Sequence, residues 1–195
     1  MKIAFVGTQC VGKTTFIEDV CKAFPEFVRP TWTYRDAIRE AGIEDKINQK
    51  TCIASQKIIF DAVCEEAKRA PDNALLDRSV MDAVAYTAWP GIYGDEDTDI
   101  TSQAVKNMRK TAGEMMDHYD LVIYIPIDET IALEDDDFRD TDPVYRRQMA
   151  EIFEGLLLIN FDDPNFDKYG YKVMEISGSR SERVRQFKNA ILALK

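Results

Sequence analysis

Gly7-Thr8-Gln9-Cys10-Val11-Gly12-Lys13-Thr14 sets two glycines five positions apart and follows the second with a lysine and a threonine. Glycine lets the backbone turn tightly with no Cβ in the way, so that its amides can point inward. The spacing fits G-x-x-x-x-G-K-[ST], whose backbone cradles phosphates at a helix start. Lys13 then places a cation on the outer phosphates, and Thr14 offers a hydroxyl to Mg²⁺. Gly7 to Thr15 are the candidate phosphate-binding residues; the plain alternative is an ordinary glycine turn. Cys10 lies inside the loop, where a helix N-terminus can lower a thiol pKa, but it reads more simply as filler than as a redox switch.

A second cluster is Asp77-Arg78-Ser79. A carboxylate beside a phosphate loop can hold Mg²⁺ or accept the proton of an attacking hydroxyl, and an adjacent guanidinium can clamp a phosphate. Asp77 is thus a candidate for both metal binding and catalysis, and Arg78 for catalysis. The competing reading makes Asp77 a helix cap and Arg78 a surface residue. Arg35 could reach the same cleft from the element after a short second strand.

These residues need elements to hold them. Apolar Lys2 to Val6 predicts a strand entering the loop, and Thr15 to Phe24 an amphipathic helix leaving it. Glu26 to Arg29 is a weak extended piece. Tyr34 to Ala41 predicts a helix ended by Gly42, and Lys50 to Ala70 a long helix stopped by Pro71. Ala74 to Asp77 is a buried strand. Ser79 and Asp82 fit a capping box for a helix to about Trp89. Pro90 to Asp99 is expected as loop, Ser102 to Met116 as helix and Leu121 to Ile125 as strand. The acidic segment Glu134 to Asp142 leads to a helix from Pro143 to about Leu158. Asn160 to Gly170 is expected as loop, Tyr171 to Ile176 as a strand and Ser181 to Leu194 as a helix. Five strands with intervening helices fit a doubly wound α/β domain, whose ligands sit at the carboxyl ends of the strands. The glycine loop, Asp77 to Ser79, Ile127-Asp128 and Ser177 to Ser179 all fall at such ends.

The phosphate loop, Asp77-Arg78-Ser79 with Asp82, Ala85 and Tyr86, and the late arginines resemble the thymidylate kinase-like group of P-loop kinases. That group includes nucleoside and nucleotide kinases, nicotinamide riboside kinase-type domains and phage kinases acting on 5-hydroxymethyluracil in DNA. The resemblance implies one domain over residues 1–195. It implies a five-stranded parallel sheet in the order 2-3-1-4-5, with a small helical lid at about 134–150. It implies an ATP–Mg²⁺ donor and catalytic roles for Asp77 and Arg78 beside the acceptor oxygen. Lid arginines would come from Arg139 and Arg146, with Arg147 ranked below them. The loop Ser177 to Arg180, with Gly178, would pack on the adenine. Gln56 and Phe60, at helical spacing on the long helix, would bind and stack a pyrimidine-like base. Trp32 and Tyr86 are expected to pack rather than stack, and His118 to end a helix. The acidic run Glu134 to Asp137 departs from what a phosphate lid wants.

Composition narrows the classes. Lys and Arg number 25 against 35 Asp and Glu, a net charge of −10, so the overall field steers poorly to nucleic acid. A local strip of Lys106, Arg109 and Lys110 could help a DNA reading, as could the compact size and divergent acceptor region, although mixed-sign helices are common. One histidine and four cysteines without C-x-x-C pairing argue against zinc and Cys–His chemistry. No apolar run suits a signal peptide or a membrane span, so a cytoplasmic chain with reduced cysteines is expected, as a monomer or homodimer. The leading expectation is ATP–Mg-dependent phosphoryl transfer to a deoxypyrimidine-like nucleoside or nucleotide. A kinase of hydroxymethylated DNA is the variant reading. A nucleotide switch would want an N-K-x-D tetrapeptide, which the chain lacks; a regulatory module that only binds nucleotide is the third class.

Overall fold

The structure, a computed structural model, describes residues 1–94, 97–129, 131, 140–158 and 172–194. In chain order the elements are β1 (Lys2–Val6), α1 (Lys13–Ala23), α2 (Tyr34–Ala41), α3 (Ile53–Arg69), β2 (Ala74–Leu76), α4 (Val80–Tyr93), α5 (Ser102–Met115), β3 (Leu121–Tyr124), α6 (Pro143–Leu157), β4 (Val173–Glu175) and α7 (Arg180–Ala193). Short 3₁₀ turns lie at Asn48–Lys50 and Met116–His118. Arg139 and the run 134–137 lie outside the described residues, as does the expected loop 160–170. Of the expected lid, residues 140–150 form an approach segment and the first half of α6.

All strand pairs are parallel, in the order β2-β1-β3-β4. Period-two alternation gives β1 two buried faces. Ala4 and Val6 meet the layer built by α2 to α6, while Ile3 and Phe5 meet α1 and α7. On the second face Phe187 of α7 is ringed by Phe5, Phe16, Phe24 and Phe27, with centroids 5.5–6.4 Å away.

The expected strand at Glu26 to Arg29 is reduced to one bridge, Val28 with Ala74, so the sheet has four strands and not five. Val28 N–H donates to Asn73 O at 2.9 Å, and Leu75 N–H donates to Val28 O at 2.8 Å. The next donor along this edge would be residue 30, a proline without an N–H. The bridge still lies outside β2, so the expected order survives in outline. A second correction concerns α4, which runs through Pro90 to Tyr93 instead of stopping near Trp89. Proline removes one ladder bond there, and Gly94 N–H closes the last turn on Pro90 O at 3.1 Å. Among the described residues no helix is long and apolar enough to cross a membrane.

Candidate functional site

The loop between β1 and α1 is shaped by its glycines. Gly7 has φ +138°, and a Cβ there would lie 2.5 Å from Ile125 O of the next strand's extension. Gly12, at φ +83°, caps α1 in the left-handed region. Cys10 is also left-handed, at φ +55°, a conformation that costs a side-chain-bearing residue about 1 kcal/mol. Lys13 Nζ donates to Gly7 O at 2.7 Å and Thr8 O at 2.6 Å. Thr8 and Val11 are buried, and Gln9 spans to the opposite wall, donating to Asp140 O at 3.3 Å.

Asp77 follows β2 directly, and β2 is hydrogen-bonded to β1. The neighbouring strand ends therefore bring it to the loop, and its Oδ2 accepts from Thr14 Oγ1 at 3.1 Å. Arg29, next to the Val28 bridge, puts Nη2 3.2 Å from the same oxygen. Ser79 and Asp82 form the expected capping box: Met81 N–H donates to Ser79 Oγ at 3.1 Å and Ser79 N–H to Asp82 Oδ2 at 2.8 Å. Asp82 is fully buried, and burial pushes its carboxyl up to about 6, with the charges of Arg78 and Lys13 offsetting only part of that.

Arg78 is not a surface residue. Its guanidinium lies 4.3 Å from the Tyr34 ring centroid and 4.7 Å from that of Tyr86, within the range of cation–π attraction. Nη1 is 3.7 Å from Asp82 Oδ1. Burial works against its charge, and Tyr34, Tyr86 and Asp82 outweigh that effect. Its buried Nε has no hydrogen-bond partner among the described residues, so one N–H remains to be satisfied in the cleft.

One cleft is lined by Gln9 to Thr15, Tyr34, Arg35, Asn48, Asp77, Arg78 and Tyr86. It brings together the glycine loop, the Asp-Arg pair and Arg35. A small, more apolar recess adjoins it, walled by Ile38, Ile47, Gln56, Ile59 and Ala83 together with Tyr34 and Tyr86. Tyr86 is therefore a lining residue as well as a packing one, because it stands one helical turn beyond Asp82 on the same face of α4. Trp32 is not core: it is 40% exposed, and its Nε1 donates to Glu40. Gln56 faces the recess but spends its amide within the protein, donating to Thr51 Oγ1 and accepting from Thr87 Oγ1 at 3.3 Å. Phe60 packs into the core, while its neighbour Ile59 lines the recess.

A second cleft on the far side of the loop is bounded by Gly12, Thr15, Asp19, Asp128, Gly178, Ser179, Arg180 and Arg183. Gly178 lies there at φ +92°. Of the lid arginines, Arg146 is buried in α6 and its Nη2 donates to Cys10 O at 3.0 Å. Arg147 is 3.8 Å from Glu129 on the surface.

Sequence reasoning passed over Tyr34, Arg29 and Arg183. Arg29 carried a faint signal, since a cation before a chain-turning proline near a strand end points to the sheet's rim. Arg183 carried none, because one arginine among several in a polar helix has no distinguishing spacing.

The residues fit a Mg²⁺-bound polyphosphate. The loop's glycines hold positive φ with no room for a Cβ at Gly7, and Thr14 and Asp77 present hard oxygen donors beside it. A family model described as an AAA domain matches residues 2–183. No curated protein sequence matches the chain. Among solved structures, deoxyadenosine kinase from M. mycoides, with dCMP and dCDP bound, is 15% identical with TM-score 0.69, covering 100% of each chain. Thymidylate kinase from Candida albicans is 16% identical with TM-score 0.68, covering 98% of this chain and 91% of that one. NadR protein in complex with NAD and AMP-PNP is 14% identical with TM-score 0.63, covering 99% of this chain and 49% of that one. These likenesses show a shared P-loop kinase fold.

Proposed function

The chain belongs to the AAA domain family matched by residues 2–183, and on that premise we propose that it is an ATP–Mg²⁺-dependent phosphotransferase acting on a nucleoside or nucleotide. The observation that carries this reading is the meeting of Thr14 and Asp77 at 3.1 Å, with Arg78 held between two tyrosine rings in the same cleft. A carboxylate that could serve Mg²⁺ and a guanidinium facing the same cleft favour phosphoryl transfer over binding alone.

Thr14 and Asp77 would hold Mg²⁺, which would offset the charge of the donor phosphates. The inward amides of residues 7–14 and Lys13 hold the donor phosphates. Asp77 orients the acceptor oxygen and takes its proton where the acceptor is a hydroxyl. The bond from the terminal phosphorus to the leaving diphosphate oxygen breaks as the bond to the acceptor oxygen forms, so ATP leaves as ADP. Arg78, with an unsatisfied N–H, and Arg35 offset the charge that spreads over the transferring group. The apolar recess beside Tyr34 and Tyr86 suits a flat ring.

ATP turnover should be measured alone and with a panel of nucleosides, nucleotides and hydroxymethylated DNA. Phosphate transfer to a nucleoside or nucleotide is expected, with slow hydrolysis in its absence. Hydrolysis indifferent to the panel would replace this reading with a switch, and transfer to DNA alone would replace the acceptor.

A further inference from the structure

Two buried arginines from different helices hold consecutive carbonyls of the phosphate loop. Arg146 Nη2, from α6, donates to Cys10 O at 3.0 Å. Arg183, from α7, forks: Nη1 donates to Val11 O at 2.7 Å and Nε to Gly178 O at 2.8 Å. Each arginine residue is 4% exposed. Burying a guanidinium is costly unless it is well bonded; Arg183 spends two donors on carbonyls while the buried Nε of Arg146 has no hydrogen-bond partner among the described residues, and burial works against the charge of Arg183, with Asp128 opposing. Gly12 accommodates the close approach, since a Cβ there would stand 3.3 Å from Arg183 Nη1.

In a trans peptide the carbonyl and the following amide point in opposite directions. A cation pulling Cys10 O outward turns the amide of Val11 inward, and one pulling Val11 O outward does the same for Gly12. Lys13 has its bonds on the carbonyls of Gly7 and Thr8, at the other end of the loop. The two arginines thus hold the half of the loop beyond those carbonyls, including the left-handed Cys10.

We infer that Arg146 and Arg183 are positioning residues that preset the inward amides of Val11 and Gly12 for phosphate, and that neither acts by touching the transferring group. This rests on the phosphotransferase reading and reassigns Arg146 from the lid role that its position suggests.

The test is calorimetric titration of ATP, and of tripolyphosphate, which carries no base, into the wild type, Arg146→Ala, Arg183→Ala and the two lysine variants. Melting temperature is followed alongside. Each alanine variant should lose roughly tenfold to a hundredfold in affinity, as expected for a charge-assisted hydrogen bond, and by similar factors for both ligands. Arg146→Lys keeps a single donor for Cys10 O and should bind like the wild type. Arg183→Lys cannot bridge Val11 O and Gly178 O together and should fall between. Wild-type affinity for both ligands in a folded alanine variant would overturn the inference. So would a loss confined to ATP, which would instead mark Arg183 as a base contact. If the alanine variants do not fold, the lysine pair decides, and tripolyphosphate affinity unchanged in Arg183→Lys would overturn it. A wild type that binds no ATP would instead sink the phosphotransferase reading.

Discussion

Thr14 Oγ1 donates to Asp77 Oδ2 across 3.1 Å, joining residues 63 positions apart at the carboxyl ends of β1 and β2. That hydroxyl and carboxylate are the oxygen pair proposed to hold the metal, apart from Lys13, which donates to Gly7 O and Thr8 O. Lys13→Ala should abolish transfer while circular dichroism and melting stay close to wild type, because the hydrogen bonds it loses, to Gly7 O and Thr8 O, lie within one loop. Asp77→Asn should lower kcat by orders of magnitude and weaken Mg²⁺ dependence, while affinity for ATP itself changes less, since the loop amides and Lys13 keep the phosphates. Unchanged turnover in Lys13→Ala would remove the loop from the mechanism.

Gln56 offers a test of what the acceptor recess uses. Its amide bonds to Thr51 and Thr87 inside the protein, so Gln56→Ala should cost about 2–3 kcal/mol of stability from the lost bonds and the space left behind. Acceptor KM should shift less than a few-fold. Unchanged melting with a KM raised by orders of magnitude would restore the base-binding role that the helical spacing suggested.

Glu66 makes stability depend on pH. It is buried on α3 beside the groove walled by Arg29 and Trp32. Burial first, and then the Asp77 charge, raise its carboxyl from 4.5 to about 7, with Arg29 opposing and Asp36 adding to the rise. Between those values the folded chain binds more protons than the unfolded one, so this group's contribution falls as pH climbs through the window. Glu66→Gln should therefore gain on the wild type at pH 8, by at most about 3 kcal/mol, and lose that advantage by pH 5. Thermal unfolding at the two pH values measures it, and a constant difference between variant and wild type would refute the assignment.

Gly7→Ala should be among the most damaging small changes. It forces a side chain into φ +138° and sets its Cβ 2.5 Å from Ile125 O, a strain of about 2 kcal/mol or more. Both melting temperature and ATP affinity should drop. Gly91→Ala, whose Cβ would meet nothing within 4 Å, is the control.

Much of this was legible in the residues. The glycine loop announced itself by spacing, β1 and β3 by apolar runs, α2 by its closing Gly42, and α4 by Ser79 and Asp82. Asp77 could be placed because strand ends in a parallel sheet share a rim. What could not be read was decided by tertiary packing. Nothing local says that Arg78 lies between Tyr34 and Tyr86, residues 44 and 8 positions away. Gln56 shows a helical face in sequence, and only the packed chain shows Thr51 and Thr87 taking its amide. Arg183 reaches Val11 from 172 positions away, a distance over which no periodic signal survives. Pro90 reads as a helix stop, yet α4 accommodates it because a single ladder bond is lost near its end.

Pro30 has an effect beyond trimming the sheet. An outer strand with free amides invites a second chain to pair along it. Here the margin beside β2 is covered by a segment with a single bridge at Val28, set between Pro25 and Pro30. That border offers an incoming strand almost no ladder to extend, which guards the chain against edge-to-edge association while leaving Arg29 at the rim to reach Asp77.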